Sequence, residues 1–168
     1  MVRDYKSSDL EALVGLFQRS VREVASRDYS PLEVSAWAPE LPELDAWARR
    51  LDAGGVFVYE HNAEISGFAR VDDTGCFDLL YVHPKTQRQG VARALFDRVI
   101  SWAASRGIRH LHAEVSVTAQ PFFERMGFHV VKEQTVERRG VSLRNVRMEK
   151  QIDAEPSVPE DAPQTTRR

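Results

Sequence analysis

LLYVHPKTQRQGVARALF, residues 79–96, is the stretch whose reading decides the fold. Leu79-Leu80-Tyr81-Val82 is apolar, β-prone and strand-sized, and Pro84 ends it. A short polar loop follows. Gly90 then opens a segment in which Val91, Leu95, Val99 and Ala103 recur at helical spacing as far as Arg106, where Gly107 can cap the end. A helix that begins this way presents unpaired N–H groups and positive dipole character to the loop. Gly90 lacks a Cβ and Ala92 is small, so a phosphate can approach the backbone, and Arg88 and Arg93 add positive charge. The same residues also suit a plain helix start. Neither the G-x-x-x-x-G-K-[ST] loop of nucleotide hydrolases nor the G-x-G-x-x-G dinucleotide fingerprint occurs in the chain.

Working outward, the chain before this stretch reads first as helices and then as strands. Ser8-x-x-Glu11 is a capping box, and Leu10, Leu13, Val14, Phe17, Val21 and Val24 keep helical period to about Ser26. Ser30-Pro31-x-Glu33 starts a second helix that ends near Trp37, and a third spans about Glu43 to Asp52. Val56–Tyr59, Ile65–Val71 and Cys76–Val82 follow as three antiparallel strands, the first two joined by a turn at Asn62-Ala63. After the long helix, His110–Val117 alternates as a strand, with Leu111, Ala113, Val115 and Val117 on one face and His112, Glu114 and Ser116 on the other. Pro121–Met126 is a short helix closed by Gly127. Phe128–Val136 and Val141–Met148 form a hairpin about Arg138-Arg139-Gly140.

Composition bounds the function. The 168 residues are 42% hydrophobic and 29% charged, with a formal net charge of −2, which suits one globular domain and disfavours a nucleic-acid binder. A single cysteine, Cys76, excludes an intrachain disulfide and an all-cysteine zinc site. No apolar run is long enough for a membrane span or a secretory leader, so the expected location is cytoplasmic and no membrane partner is expected. Residues 151–168 carry three of the eight prolines and little that can pack, and they read as a disordered tail behind a domain at 1–150.

Gln87-Arg88-Gln89-Gly90-Val91-Ala92 resembles the Q/R-x-x-G-x-G/A loop of the GNAT superfamily of N-acetyltransferases. Ala119-Gln120-Pro121-Phe122-Phe123-Glu124-Arg125-Met126-Gly127-Phe128 is similar to that superfamily's A-x-x-F-Y-E-x-x-G-F segment. With the order of elements, the resemblance covers residues 1–150, and the ending is similar to a subgroup of uncharacterised bacterial acetyltransferases. It implies an α/β fold: a mixed, mostly antiparallel sheet flanked by helices. The strands Cys76–Val82 and His110–Val117 would run parallel and splay apart at the cofactor site. It further implies acetyl-CoA as cosubstrate, with the pyrophosphate held by Arg88, Gln89, Gly90, Val91 and Ala92 beside Arg93. The pantetheine arm would pair with Leu80, Tyr81 and Val82, and a backbone N–H, that of Val82, would face the thioester carbonyl. Phe122 and Phe123 would pack on the cofactor arm or in the core. The implied reaction is acetyl transfer to a primary amine, of a small molecule or a peptide, by direct attack on the thioester.

The resemblance breaks at Phe123, where many relatives carry a tyrosine that protonates the departing thiolate. Glu114 on the polar strand face is the candidate base, and Tyr81 the candidate acid; each also has a plain structural reading. Tyr29 and Trp37 are candidate walls of an acceptor pocket, where Asp28 and Glu114 suit a cationic amine and Arg138 and Arg139 an anionic group. The missing tyrosine also admits a second class of function, an acyl-CoA-binding sensor without turnover. His110 and His112 lack a third metal ligand at convincing spacing, so no metal is expected. A monomer or a homodimer joined through the late hairpin is expected.

Overall fold

Seven strands and five α-helices occupy residues 1–153, the part of the chain described by the computed structural model. In chain order they are β1 (Val2–Asp4), α1 (Leu10–Glu23), α2 (Pro31–Trp37), α3 (Leu44–Leu51), β2 (Gly55–His61), β3 (Glu64–Val71), β4 (Phe77–Val82), α4 (Val91–Ser105), β5 (His110–Ser116), α5 (Gln120–Arg125), β6 (His129–Arg138) and β7 (Val141–Gln151). β1-β2-β3-β4 form one antiparallel sheet and β5-β7-β6 a second. The sheets touch edge to edge at one parallel bridge, Cys76 to His112, where the His112 N–H donates to the Gly75 carbonyl at 3.0 Å. The expected parallel pair that parts after its first contact is therefore present.

Apolar residues on the two sheet faces build two cores. On one face α4 packs Val91, Leu95, Val99 and Ala103 against Phe57, Ala69, Val71 and Phe77, and the second sheet adds Leu111, Ala113, Val146 and Met148. On the other face α1 packs Leu13, Leu16, Phe17 and Val21 against Val58, Phe68 and Leu79. The approach of α4 depends on Gly67 of β3, where a Cβ would lie 2.8 Å from Val91 and 3.0 Å from Leu95. The N-terminus of α4 is thereby fixed at the end of β4.

Three expectations need correction. α1 does not start with a Ser8–Glu11 box; a 3₁₀ turn over Ser7–Asp9 precedes it, and the buried Asp9 carboxylate accepts from the Lys6 N–H at 2.9 Å and from Arg3. The helix also ends at Glu23, and a 3₁₀ turn over Ala25–Arg27 replaces its expected last turn. The folded part passes residue 150, since Gln151 completes β7 and Ile152 is buried with its N–H on the Arg109 carbonyl. The remainder of the expected tail, 154–168, lies outside the described residues. The Ser30–Glu33 box forms as expected, with reciprocal bonds of 2.9 and 3.2 Å.

Candidate active site

Hydrogen-bond phase decides what the end of β4 can offer. Gly67 to Ala69 pair with Val82 to Leu80, and the His83 N–H donates to the Ser66 carbonyl at 2.8 Å. Antiparallel ladders alternate, so odd-numbered β4 residues bond to β3. Leu80 and Val82 therefore direct their N–H and C=O groups to the free edge. β5 has the matching phase: the His112 N–H reaches Gly75, and beyond it Glu114 and Ser116 turn theirs into the same gap. The Val82 carbonyl accepts from the Gln87 side-chain amide at 3.0 Å, while the Val82 N–H points to the free edge.

The loop between β4 and α4 leads into a helix start with free backbone donors. His83 Nδ1 accepts the Lys85 N–H at 3.1 Å and tightens the turn after β4. Arg88 (φ 59°) and Gly90 (φ 83°) both take left-handed backbone conformations, and for an arginine that is strained. The first intrahelical donor is the Ala94 N–H, bonded to the Gly90 carbonyl at 3.0 Å, so the N–H groups of Val91, Ala92 and Arg93 head the helix without helical partners. A Cβ on Gly90 would meet no atom within 4 Å; the space there is open. Arg88 and Gln89 are exposed beside it. Arg93 is exposed too, ion-paired to Asp97 at 3.1 Å.

A cleft of about 470 Å³ opens where β4 and β5 part, on the face opposite α4. Tyr81 and Asp78 of β4, Glu114 and Ser116 of β5, and Asn145 and Arg147 of β7 line it, and α1, α2 and α3 close it over. Tyr81 packs against Phe17 and Phe68, and burial pushes its phenol up to about 12 despite the guanidiniums of Arg50 and Arg138 nearby. Its proton stays on through the whole physiological range. Glu114 is exposed to the cleft, opposite Arg147 in the β5–β7 register.

Trp37 also lines the cleft, edge-on to the Tyr29 ring at 5.3 Å. The Tyr29 hydroxyl is engaged: it accepts the Val117 N–H at 2.9 Å and donates to the Arg144 carbonyl at 2.5 Å. It thus stands between two groups that would otherwise extend the β5–β7 ladder. Phe123 is buried against Phe77 and Phe128 at centroid distances of 5.4 and 5.0 Å, so it is a core residue, while the half-buried Phe122 lies edge-on to Phe96 of α4. Asp28 does not line the cleft and accepts from the Thr118 hydroxyl. His110 is paired with Glu149 at 3.2 Å. Burial raises the Cys76 thiol to about 11, which keeps it protonated and unreactive at neutral pH.

Residues 25–152 match the family described as an acetyltransferase (GNAT) domain. The chain belongs to the GNAT acetyltransferase family. It is 38% identical to the uncharacterised N-acetyltransferase YafP of Escherichia coli over 88% of this chain and 93% of that one. It is 25% identical to the peptidyl-lysine N-acetyltransferase YiaC of Escherichia coli over 78% of this chain and 84% of that one. The GNAT fold is also seen in a GCN5-related N-acetyltransferase from Rhodopseudomonas palustris, with TM-score 0.87 at 28% identity over 90% of this chain and 94% of that one. A Salmonella typhimurium acetyltransferase, yncA, solved with acetyl-CoA, superposes with TM-score 0.68 at 22% identity over 96% of this chain and 98% of that one.

Within this GNAT domain, sequence reasoning missed Gln87 as the holder of the Val82 carbonyl, and missed Asp78, Asn145 and Arg147 as cleft residues. One signal was available for Asp78. It is the only charged residue in Phe77–Val82, and a β-bulge in the β3–β4 register at Val71↔Phe77 and Arg70↔Leu79 leaves it unpaired there. Its carboxylate accepts from Arg70 at 2.7 Å and from Arg50 at 3.0 Å.

Proposed function

We propose that this GNAT domain transfers the acetyl group of acetyl-CoA to a primary amine by direct attack, with no covalent enzyme intermediate. The observation that carries the reading is the free edge of β4 ending at the unpartnered N-terminus of α4, with a cleft open on the other side of the gap. The helix N–H groups of Val91, Ala92 and Arg93 and the backbone of Arg88, Gln89 and Gly90 hold the pyrophosphate. The edge groups of Leu80 and Val82 pair with the amide-bearing arm, and Phe122 flanks it. The Val82 N–H then faces the thioester carbonyl and stabilises negative charge that develops on its oxygen.

Glu114 takes a proton from the acceptor ammonium, directly or through water. The neutral nitrogen attacks the carbonyl carbon, a C–N bond forms, and the C–S bond breaks with its electron pair leaving on sulfur. The attacking nitrogen then loses a second proton, which passes through water to the thiolate, while the proton taken by Glu114 goes to solvent. Tyr81 donates a hydrogen bond to the departing sulfur but keeps its proton, because a phenol near 12 is a weaker acid than a thiol near 8.5. Holding both reactants across one gap supplies much of the acceleration.

Calorimetric titration of acetyl-CoA into the wild type and Gly90→Glu tests the donor site. The reading expects saturable binding weakened at least about tenfold in the variant, whose carboxylate meets the phosphates at the helix N-terminus. No binding to folded wild-type protein would overturn it. Amine-dependent release of free CoA tests turnover; binding without such release with any amine would make the chain a CoA-binding module.

A further inference from the structure

The hairpin β6–β7 forms one wall of the cleft, and its charge is unusual. Arg138, Arg139, Arg144 and Arg147 all line the cleft. Arg147 lies 3.6 Å from Glu149. Arg138 and Arg139 have no carboxylate within 4 Å among the described residues; their guanidiniums donate to the backbone carbonyls of Glu137 at 3.1 Å and Ala36 at 2.8 Å. The acids in the lining are Glu43, Asp78 and Glu114, and Asp78 is already committed to Arg50 and Arg70. Arg139 also sits where its backbone resists it. Arg139 (φ 48°) and Gly140 (φ 76°) form a two-residue turn between the paired Arg138 and Val141. Such turns prefer Asn-Gly, and a long side chain at the first position is strained. Its guanidinium nonetheless crosses to the end of α2 and lines the cleft there.

We propose that the acceptor is a primary amine that also carries an oxyanion, a carboxylate or a phosphate. Arg138 and Arg139 bind the oxyanion while the amine lies at Glu114. The inference rests on the acetyltransferase reading and adds the substrate class. Register puts both charges on one sheet face: Glu114 is opposite Arg147, Arg138 is opposite Val141, and Arg147 and Val141 fall on the same side of β7. One acceptor in the cleft therefore meets both the carboxylate and the arginines. The planar guanidinium forks suit either oxyanion.

The test uses ω-amino carboxylates from glycine to 8-aminooctanoate, each beside its carboxamide, with aminoalkyl phosphates beside their alcohols, in the full chain. CoA release gives kcat/KM for each. The acid or phosphate whose length fits the cleft is expected to exceed its uncharged partner by at least roughly tenfold, the worth of one charge-assisted hydrogen bond. The carboxylate and phosphate series decide between the two oxyanions. In Arg138→Gln/Arg139→Asn, which gives the turn a residue it favours, the ratio is expected to fall toward one. Equal use of charged and uncharged partners, use of none of them, or a ratio unchanged in the double variant overturns the inference. Calorimetry with acetyl-CoA on each protein separates this failure from failure of the acetyltransferase reading, which predicts donor binding in every case.

Discussion

Replacing Tyr29 by phenylalanine removes one oxygen atom and tests how the cleft is held in shape. The hydroxyl accepts the Val117 N–H at 2.9 Å and donates to the Arg144 carbonyl at 2.5 Å, and the residue is 5% exposed, so water does not readily replace it. Two net hydrogen bonds of about 1 kcal/mol each, lost together, cost roughly 2 kcal/mol. For a domain of this size that lowers Tm by roughly 4–8 °C. The loss is smaller if Val117 and Arg144 close up and bond directly, but then the end of β5 moves and carries Ser116 with it into the cleft. Either outcome is visible: thermal melts read the first, and kcat/KM for an amine acceptor at unchanged acetyl-CoA affinity reads the second. A Tyr29→Phe protein whose melting temperature and kcat/KM both match the wild type would refute the view that this hydroxyl sets the strand end.

Other perturbations follow from single residues. Ala63 has φ 63° in the exposed turn after Asn62, so Ala63→Gly should raise stability by about 1 kcal/mol, read as a higher denaturant midpoint at constant slope. Asp78→Ala leaves the buried Arg70 guanidinium without its carboxylate, 2.7 Å away, and should cost roughly 3 kcal/mol by urea unfolding. Tyr81 titrates higher folded (about 12) than free (near 10), so its stabilisation is full below pH 10 and is lost as pH rises through 12. Melts from pH 9 to 12 should decline less steeply in Tyr81→Phe; parallel curves would contradict its burial as a neutral phenol. Glu114→Gln should lower kcat/KM for an amine acceptor by about a hundredfold at unchanged acetyl-CoA affinity, and an unaltered kcat/KM would reassign the base.

The fold was legible because its decisive signals are local. A strand that ends at a proline, a loop, and a glycine opening a periodic helix are all contained in residues 79–96, and the strand–helix–strand crossover follows from them. β1 was not legible, since three residues give no period and its pairing with β2 is set by contacts more than fifty residues away. The start of α1 misled for a related reason. Ser8 and Glu11 have box spacing, but Asp9 can satisfy the Lys6 N–H and Arg3 at once, and the arginine arrives from a sheet that no local pattern announces.

The groups proposed to hold the donor are backbone groups, whose direction follows from element type and register, so the sequence could nominate them. The acceptor side is made of side chains brought together from β4, β5, β7 and three helices, and their meeting is a tertiary fact. Asp28 and Glu114 looked equivalent in sequence, yet Thr118 holds one outside the cleft while the other faces it. Tyr29 looked like a pocket wall and is also a wedge in the β5–β7 ladder. The sequence placed Asp28 and Glu114 against Arg138 and Arg139 as conflicting signs of a cationic and an anionic substrate. In the fold Arg138, Arg139 and Glu114 line one cleft, so the conflict becomes a proposal about one molecule with two charges.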